Sequence, residues 1–293
     1  MATTPQRPKL VVIVGPTASG KSALAIQVAK DFAGEIICAD SRTVYKGMDI
    51  GTAKPSAADR KTVPHWGLDL VTPGKRFTAY RFKKYAQNAI LDIQGRAKLP
   101  VLAGGTGLYV DSVLFDFGFR QDADLAKRKK LETMNIETLQ DFIREMSLPM
   151  PLNFKNKRHL IRSIETKGQS GTKKQKLPEG VLLVGLLPTD KVLRQRINAR
   201  AQAIFRAEVV GETRRLLSKT GREALVTTGG IVYKICLKVL DGKITRTEAI
   251  KKFQIADWQY TRRQKTWFKR NKFIHWFESP EQAYSYIKSQ LNT

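Results

Sequence analysis

Apolar residues follow two rhythms along this chain. Four short, mostly apolar runs, Leu10 to Val14, Glu35 to Ala39, Gly67 to Val71 and Val101 to Ala103, are predicted as strands. Between them, Ser22 to Phe32 and Ala79 to Arg96 carry apolar side chains at helical spacing, with Ala23, Leu24, Ile26 and Val28 available for packing in the first. Unbroken apolar strands alternating with helices predict a doubly wound α/β fold with a parallel sheet. From about Arg120 to Pro178 the strand-like runs stop, and short, charge-rich helical segments follow. Val181 to Leu187 then returns as a buried strand closed by Pro188. Beyond it the pattern is helical, including Val192 to Glu212 and Thr247 to Phe268, with a short last strand over Phe273 to Trp276. The reading is a discontinuous core, residues 1–119 and 179–293, interrupted by a helical insertion at 120–178. Within the insertion, Lys167 to Lys176 reads as a Gly/Ser/Lys-rich loop.

Ligands of such sheets lie beyond the carboxyl ends of the strands. Three segments fall there. Gly15-Pro16-Thr17-Ala18-Ser19-Gly20-Lys21-Ser22 follows the first strand and fits the phosphate-loop pattern G-x-x-x-x-G-K-[ST], which a chain of this length contains by chance about one time in a hundred. Its backbone N–H groups and the following helix terminus suit a di- or triphosphate, Lys21 its terminal oxygens, and the Ser22 hydroxyl a Mg2+ ion. With this loop the core reads as a P-loop NTPase-like sheet with a helical C-terminal part. Asp40 ends the second strand, where it suits either a general base or a turn aspartate. Ser41 to Pro55 is a long, glycine-punctuated segment that reads as substrate-facing. Gly104-Gly105-Thr106-Gly107 opens another helix, with N–H groups and a hydroxyl for a phosphate, a metal-bound water or a reacting base. No acidic residue closes that strand to hold Mg2+, and Asp69 is a candidate substitute.

Charge changes the picture further. Among 293 residues, 52 Lys and Arg stand against 26 Asp and Glu, a formal net charge of +26. A small-molecule enzyme has no need of that excess, whereas docking on a polyanion does. Arg128, Lys155-Asn156-Lys157-Arg158-His159-Leu160-Ile161-Arg162 and Tyr260-Thr261-Arg262-Arg263-Gln264-Lys265-Thr266-Trp267-Phe268-Lys269-Arg270 interleave basic with aromatic or apolar residues, as RNA-binding surfaces do. No apolar stretch is long enough to span a membrane, the first residues do not read as a signal peptide, and Cys38 with Cys236 read as core residues in a reducing cytoplasm.

These segments together resemble the tRNA dimethylallyltransferases, or tRNA isopentenyltransferases, of bacterial type. The resemblance rests on the phosphate loop, on Asp40-Ser41-Arg42 with Tyr45 to Pro55, on Gly104 to Tyr109, on Arg158 to Glu165, and on Arg262-Arg263-Gln264 with Thr266-Trp267-Phe268. It implies a Mg2+-assisted transfer of a dimethylallyl group from dimethylallyl diphosphate to the N6 amine of the adenosine 3′ to the anticodon, position 37 of tRNA, by a cytoplasmic monomer. In that family the phosphate loop holds the donor's diphosphate, Lys21, Ser22 and Arg263 serve the leaving group, and Asp40 accepts the amine proton. Thr106 and Arg128 correspond to positions that contact tRNA near the reacting base, and Asp40 to Thr43 and Arg158 to Arg162 to its tRNA-contacting segments. The chain departs from the family at Ile231-Val232-Tyr233-Lys234, where a glycine is usual in place of Val232, at a short Ser147 to Lys155, and in the Lys-rich loop from Lys167 to Lys176, while the absence of the zinc-finger extension of eukaryotic members fits the bacterial type. Three other classes remain to be weighed: a small-molecule kinase using ATP, an adenylate isopentenyltransferase acting on free nucleotide, and a non-catalytic RNA-binding module.

Overall fold

A computed structural model describes residues 8–119, 125–168 and 176–292. The chain forms two compact units, Met1–Leu114 with Leu177–Thr293, and Phe115–Lys176, against expected boundaries at 120 and 178.

The larger unit is built on a six-stranded sheet among the described residues, all pairs parallel, in the order β3-β2-β4-β1-β5-β6. The strands are β1 (Leu10–Val14), β2 (Gly34–Cys38), β3 (His65–Trp66), β4 (Leu99–Gly104), β5 (Val181–Leu186) and β6 (His275–Phe277). Every residue of β1 and β2 is buried, which is why their sequences run apolar without alternation. The exception is Glu35, whose carboxylate is held by Arg96, Lys98 and the Trp66 indole N–H. The run Gly67 to Val71 is not a strand. Gly67 at φ 84° and Asp69 at φ 56° break the extended backbone, so the edge strand is the two-residue β3 just before it, and Val71 makes only an isolated bridge to Tyr45.

Helices cover both faces. On one, α1 (Lys21–Asp31) and α12 (Pro280–Leu291) pack on β1, β2, β4 and β5 through Leu24, Val28, Ala283 and Ile287. On the other lie α3 (Ala79–Gly95) and α4 (Gly107–Leu114), with Phe82 stacked on Tyr109 at 4.1 Å. The short α2 (Ala57–Thr62) is fixed by a capping box from Ser56 and Asp59. Arg60 and Lys54 both pair with Asp69, so the residue expected as a possible Mg2+ ligand is already engaged by two cations.

A second core lies among α8 (Asp190–Arg206), α9 (Val209–Thr228), α10 (Gly230–Leu240) and α11 (Arg246–Phe268), joined by Val44, Tyr45 and Met48 from the segment after β2. The helix expected from Val192 to Glu212 is therefore two helices, divided where Glu208 takes a left-handed φ of 70° and its carboxylate accepts the Gly211 N–H. Cys38 and Cys236 are buried, free thiols.

The smaller unit contains α5 (Leu125–Thr133), α6 (Ile136–Glu145) and α7 (Lys157–Glu165), closed over Leu131, Leu139, Ile143, Leu160, Ile161 and Ile164. Residues 169–175 of the loop predicted over Lys167 to Lys176 lie outside the described residues. Among the described residues, no helix is long and apolar enough to cross a membrane.

Candidate active site

The phosphate loop departs from regular backbone at Gly15, Ala18 and Gly20, and Gly20 at φ 99° hands the chain to α1. A Cβ at Gly20 would in addition press on Pro280, so glycine is required there on two counts. The loop is held from outside as well. Gln264, buried on α11, accepts the Thr17 N–H at 2.9 Å and the Thr17 hydroxyl at 3.1 Å, and its amide donates to the Gly105 carbonyl at 2.9 Å. One side chain thereby ties the phosphate loop to the glycine turn after β4, whose Gly105 leaves no room for a side chain against it. From α8, Arg196 donates to the Ala18 and Ser19 carbonyls. Lys21 Nζ donates to the Pro16 carbonyl at 3.1 Å. Burial lowers the Lys21 ammonium to about 8 despite the opposing pull of Asp40, with the Arg200 guanidinium adding to the depression. Lys21 and Arg200 thus set two cations beside the loop, only partly countered by the Asp40 and Asp257 carboxylates, an arrangement suited to a polyanion.

Asp40 lies one residue beyond Ala39, whose carbonyl accepts the Thr106 N–H at 3.2 Å. The Thr106 hydroxyl accepts the Ser41 N–H at 3.0 Å, so the turns after β2 and β4 brace each other. Asp40 Oδ1 accepts the Arg42 N–H at 2.8 Å in an Asx turn. That bond occupies one carboxylate oxygen, so Asp40 fills the turn role while also facing a cavity. The cavity, of about 380 Å3, is lined by Thr17, Asp40, Ser41, Arg42, Thr52, Val232, Asp257, Tyr260 and Arg263, among others. Burial and the neighbouring Asp40 carboxylate push the Tyr260 phenol up to about 12, which leaves it a neutral hydrogen-bonding group near neutral pH. Arg263 lies exposed over the Tyr260 ring. Val232, the departure from the family pattern, is buried in the first turn of α10 and forms cavity wall.

The loop from Ser41 to Pro55 proves half structural. Val44, Tyr45 and Met48 are core, and Lys54 is buried against the Tyr45 carbonyl, Asp49 and Asp69. Thr43, expected at the tRNA, is buried with its hydroxyl on the Asp40 carbonyl. What holds the loop is Glu212 of α9, which accepts the N–H groups of Asp49, Ile50 and Gly51 and the Tyr233 hydroxyl.

In the smaller unit, Arg128 is paired with Glu132 and with the buried Glu165. On α7 the exposed side chains are Arg158, His159 and Arg162, whereas Leu160 and Ile161 point into the unit's own core. Helical spacing places the two apolar residues on the face opposite the basic ones, so the side chains of Leu160 and Ile161 do not present themselves to a ligand.

The residues present fit a Mg2+ ion. Ser22 stands exposed in the first turn of α1 as a hard oxygen donor, and Mg2+ commonly takes one or two protein oxygens together with phosphate and water. Ser19 Oγ is buried without a hydrogen-bond partner inside the same loop, a further unspent polar group.

A parallel sheet with a phosphate loop at its first strand, opening on a cavity that carries an aspartate, defines a P-loop α/β protein that handles a phosphorylated substrate. The IPP transferase family model matches residues 43–271, and the isopentenyl transferase model matches residues 8–65. The chain belongs to the IPP transferase family. It is 36% identical to a tRNA dimethylallyltransferase of Staphylococcus epidermidis over 307 aligned residues, covering 98% of this chain and 92% of the relative. It is 38% identical to that of Desulforudis audaxviator, covering 94% and 93%. Among solved structures, a tRNA isopentenylpyrophosphate transferase from Bacillus halodurans superposes with a TM-score of 0.72 at 31% identity, covering 98% and 97% of the two chains. A eukaryotic dimethylallyltransferase acting on tRNA reaches 0.75 at 24% identity, covering 96% of this chain and 76% of that one, a likeness of fold.

Proposed function

We propose that this chain transfers a dimethylallyl group from dimethylallyl diphosphate to the N6 amine of the adenosine 3′ to the anticodon in tRNA, position 37, releasing diphosphate. The observation that carries the reading is that the phosphate loop and Asp40 open on one cavity, in a chain whose relatives bear the name tRNA dimethylallyltransferase along nearly their full length.

In the reaction, the adenosine N6 forms a bond to C1 of the dimethylallyl group while the C1–O bond to diphosphate breaks. The bonding pair leaves with the diphosphate oxygen, and the proton of the amine passes to Asp40. The loop N–H groups, Lys21 and Arg263 meet the charge that grows on the leaving group, and such preorganised donors supply much of a rate enhancement. The Ser22 hydroxyl would hold a Mg2+ ion, which would supply neutralising charge to the diphosphate. Thr106 keeps Ser41 and hence Asp40 in place at the mouth of the cavity. The exposed basic face of α7 supplies phosphate contacts, a role for which a net charge of +26 is suited. An ATP-dependent kinase would leave that basic face without a task, and so would an enzyme using free adenylate.

Asp40→Ala tests the assignment of the base. Prenyl transfer to tRNA should fall by about two to four orders of magnitude while tRNA affinity stays within a few-fold. A loss of tRNA affinity equal to the loss of rate would make Asp40 a tRNA contact instead.

A further inference from the structure

Large apolar side chains that reach the surface of this chain, such as Leu91 and Val226, mostly stand apart from one another, as on any soluble protein. The segment joining α6 to α7 is the exception. Met146, Met150, Leu152 and Phe154 are all exposed there, within residues 146–154. Leu152 is 99% exposed and Phe154 44%, so the first is presented whole while the second keeps part of its ring seated.

Apolar groups left in water tend to fold back onto the nearest core, and here the backbone is fixed so that they do not. Leu148 packs on the core of the smaller unit, and the Ser163 hydroxyl donates to the Pro149 carbonyl at 3.3 Å. The Gln140 amide donates to the Phe154 carbonyl at 2.9 Å. The Asn156 N–H then donates to the Asn153 carbonyl at 2.9 Å, and the Asn156 side chain accepts the Arg158 N–H at the start of α7. Pro149 and Pro151 stiffen what remains. The tip at 150–154 is therefore held at both ends with its apolar side chains uncovered. Contiguous exposed apolar groups of this kind mark interaction sites.

The surroundings select the partner. Lys155, Arg158, His159 and Arg162 stand exposed directly after the tip, which sets an apolar group beside a cationic face. An anionic lipid surface suits such neighbours too, but interfacial anchors commit a whole helical face to the lipid. In this unit the apolar faces of α6 and α7 are spent on the internal core through Leu139, Ile143, Leu160, Ile161 and Ile164, which leaves a single turn. Unpaired nucleotides present the matching pair of chemistries, flat apolar base faces next to phosphate charge.

We propose that the tip at 150–154 docks unpaired nucleobases of the anticodon loop, with the Phe154 ring stacking on one base and Leu152 packing beside it. The inference deepens the proposed tRNA reading, which gives this unit phosphate contacts alone, and it falls within residues 147–155, where the chain departs from the family pattern. Every base has a flat face, so the tip favours an open loop over a duplex without reading sequence.

Fluorescence anisotropy with the full chain tests this, using an end-labelled anticodon stem-loop RNA and a fully paired RNA of equal length at several salt concentrations. Phe154→Ser should weaken stem-loop binding by about 5- to 100-fold, the loss of one aromatic–base stack, and leave duplex binding within about two-fold. Phe154→Tyr should stay within about two-fold of wild type, and Phe154→Leu, which keeps apolar bulk without a π face, should fall between. Salt separates stacking from charge. The slope of log affinity against log salt should be unchanged in Phe154→Ser and shallower in Arg158→Gln. The Gln140 bond reaches the Phe154 carbonyl, so each substitution leaves it in place. Wild-type stem-loop affinity in Phe154→Ser, an equal loss on the duplex, or a flattened salt slope in that variant would overturn the proposal. So would self-association that Phe154→Ser abolishes, which would give the tip to a second copy, or sedimentation with phosphatidylserine vesicles that it abolishes, which would give the tip to a lipid surface. Wild-type protein that binds the stem-loop through Phe154 yet labels no tRNA would refute the prenyl reading and leave the docking surface standing.

Discussion

Replacing Glu212 by Gln probes how the floor of the cavity is held. Oε2 of Glu212 accepts the N–H groups of Asp49 at 3.0 Å and Ile50 at 2.8 Å, and Oε1 accepts the Gly51 N–H at 3.0 Å and the Tyr233 hydroxyl at 2.6 Å. The side chain is buried, and Gly51 packs so closely on Tyr233 that a Cβ would approach its ring to 2.5 Å. Glutamine keeps one oxygen and turns the other into an NH2 group that confronts donors with donors. Two of four charge-assisted bonds are lost, each worth about 1.5 to 3 kcal/mol, and neutralising a buried charge returns part of that. The expected net destabilisation is about 3 kcal/mol. Urea unfolding followed by tryptophan fluorescence reads it cleanly, because Trp66, Trp258, Trp267 and Trp276 all belong to the larger unit. The midpoint should drop with little change of slope, and donor KM should rise, since Gly51 and Thr52 line the cavity. A destabilisation below about 1 kcal/mol would mean that the loop stands without the carboxylate, and the reasoning would fail.

Two further outcomes follow from charge. Burial depresses Lys21 to about 8, so diphosphate affinity should decline as pH rises through 8 in wild type and show no such step in Lys21→Met, a contrast that calorimetry at several pH values resolves. Glu35, drawn down to about 2 chiefly by its hydrogen bonds from Arg96, contributes stability that is fully present above pH 4.5 and lost as pH falls toward 2; acid unfolding of Glu35→Gln should lack about 2 kcal/mol of that dependence.

Sequence and structure agree where the signal is local. The phosphate loop, the unbroken apolar strands and the helix over Ala79 to Gly95 need only neighbouring residues to be recognised. Gly67 to Val71 misled because its apolar content resembles a strand while Gly67 and Asp69 adopt positive φ, which tertiary contacts of Lys54 and Arg60 with Asp69 accompany. The division of α8 from α9 at Glu208 was invisible for the opposite reason, since a non-glycine takes the left-handed position. Gln264, Glu212, Arg196 and the Arg200–Asp257 pair escaped as site residues because their partners lie far away in sequence, 247 residues for Gln264 and Thr17. Gln264 at least carried a signal, being part of the motif on which the resemblance rests. Leu160 and Ile161 were drawn into the tRNA-contacting segment by adjacency, although the helical period turns them inward.

The central claim is an acceptor: tRNA adenosine receives the prenyl group. Purified protein incubated with Mg2+, radiolabelled dimethylallyl diphosphate, unmodified tRNA and an equimolar AMP control should place label in tRNA alone. Label in AMP, or in neither acceptor while ATP is consumed, would contradict the account.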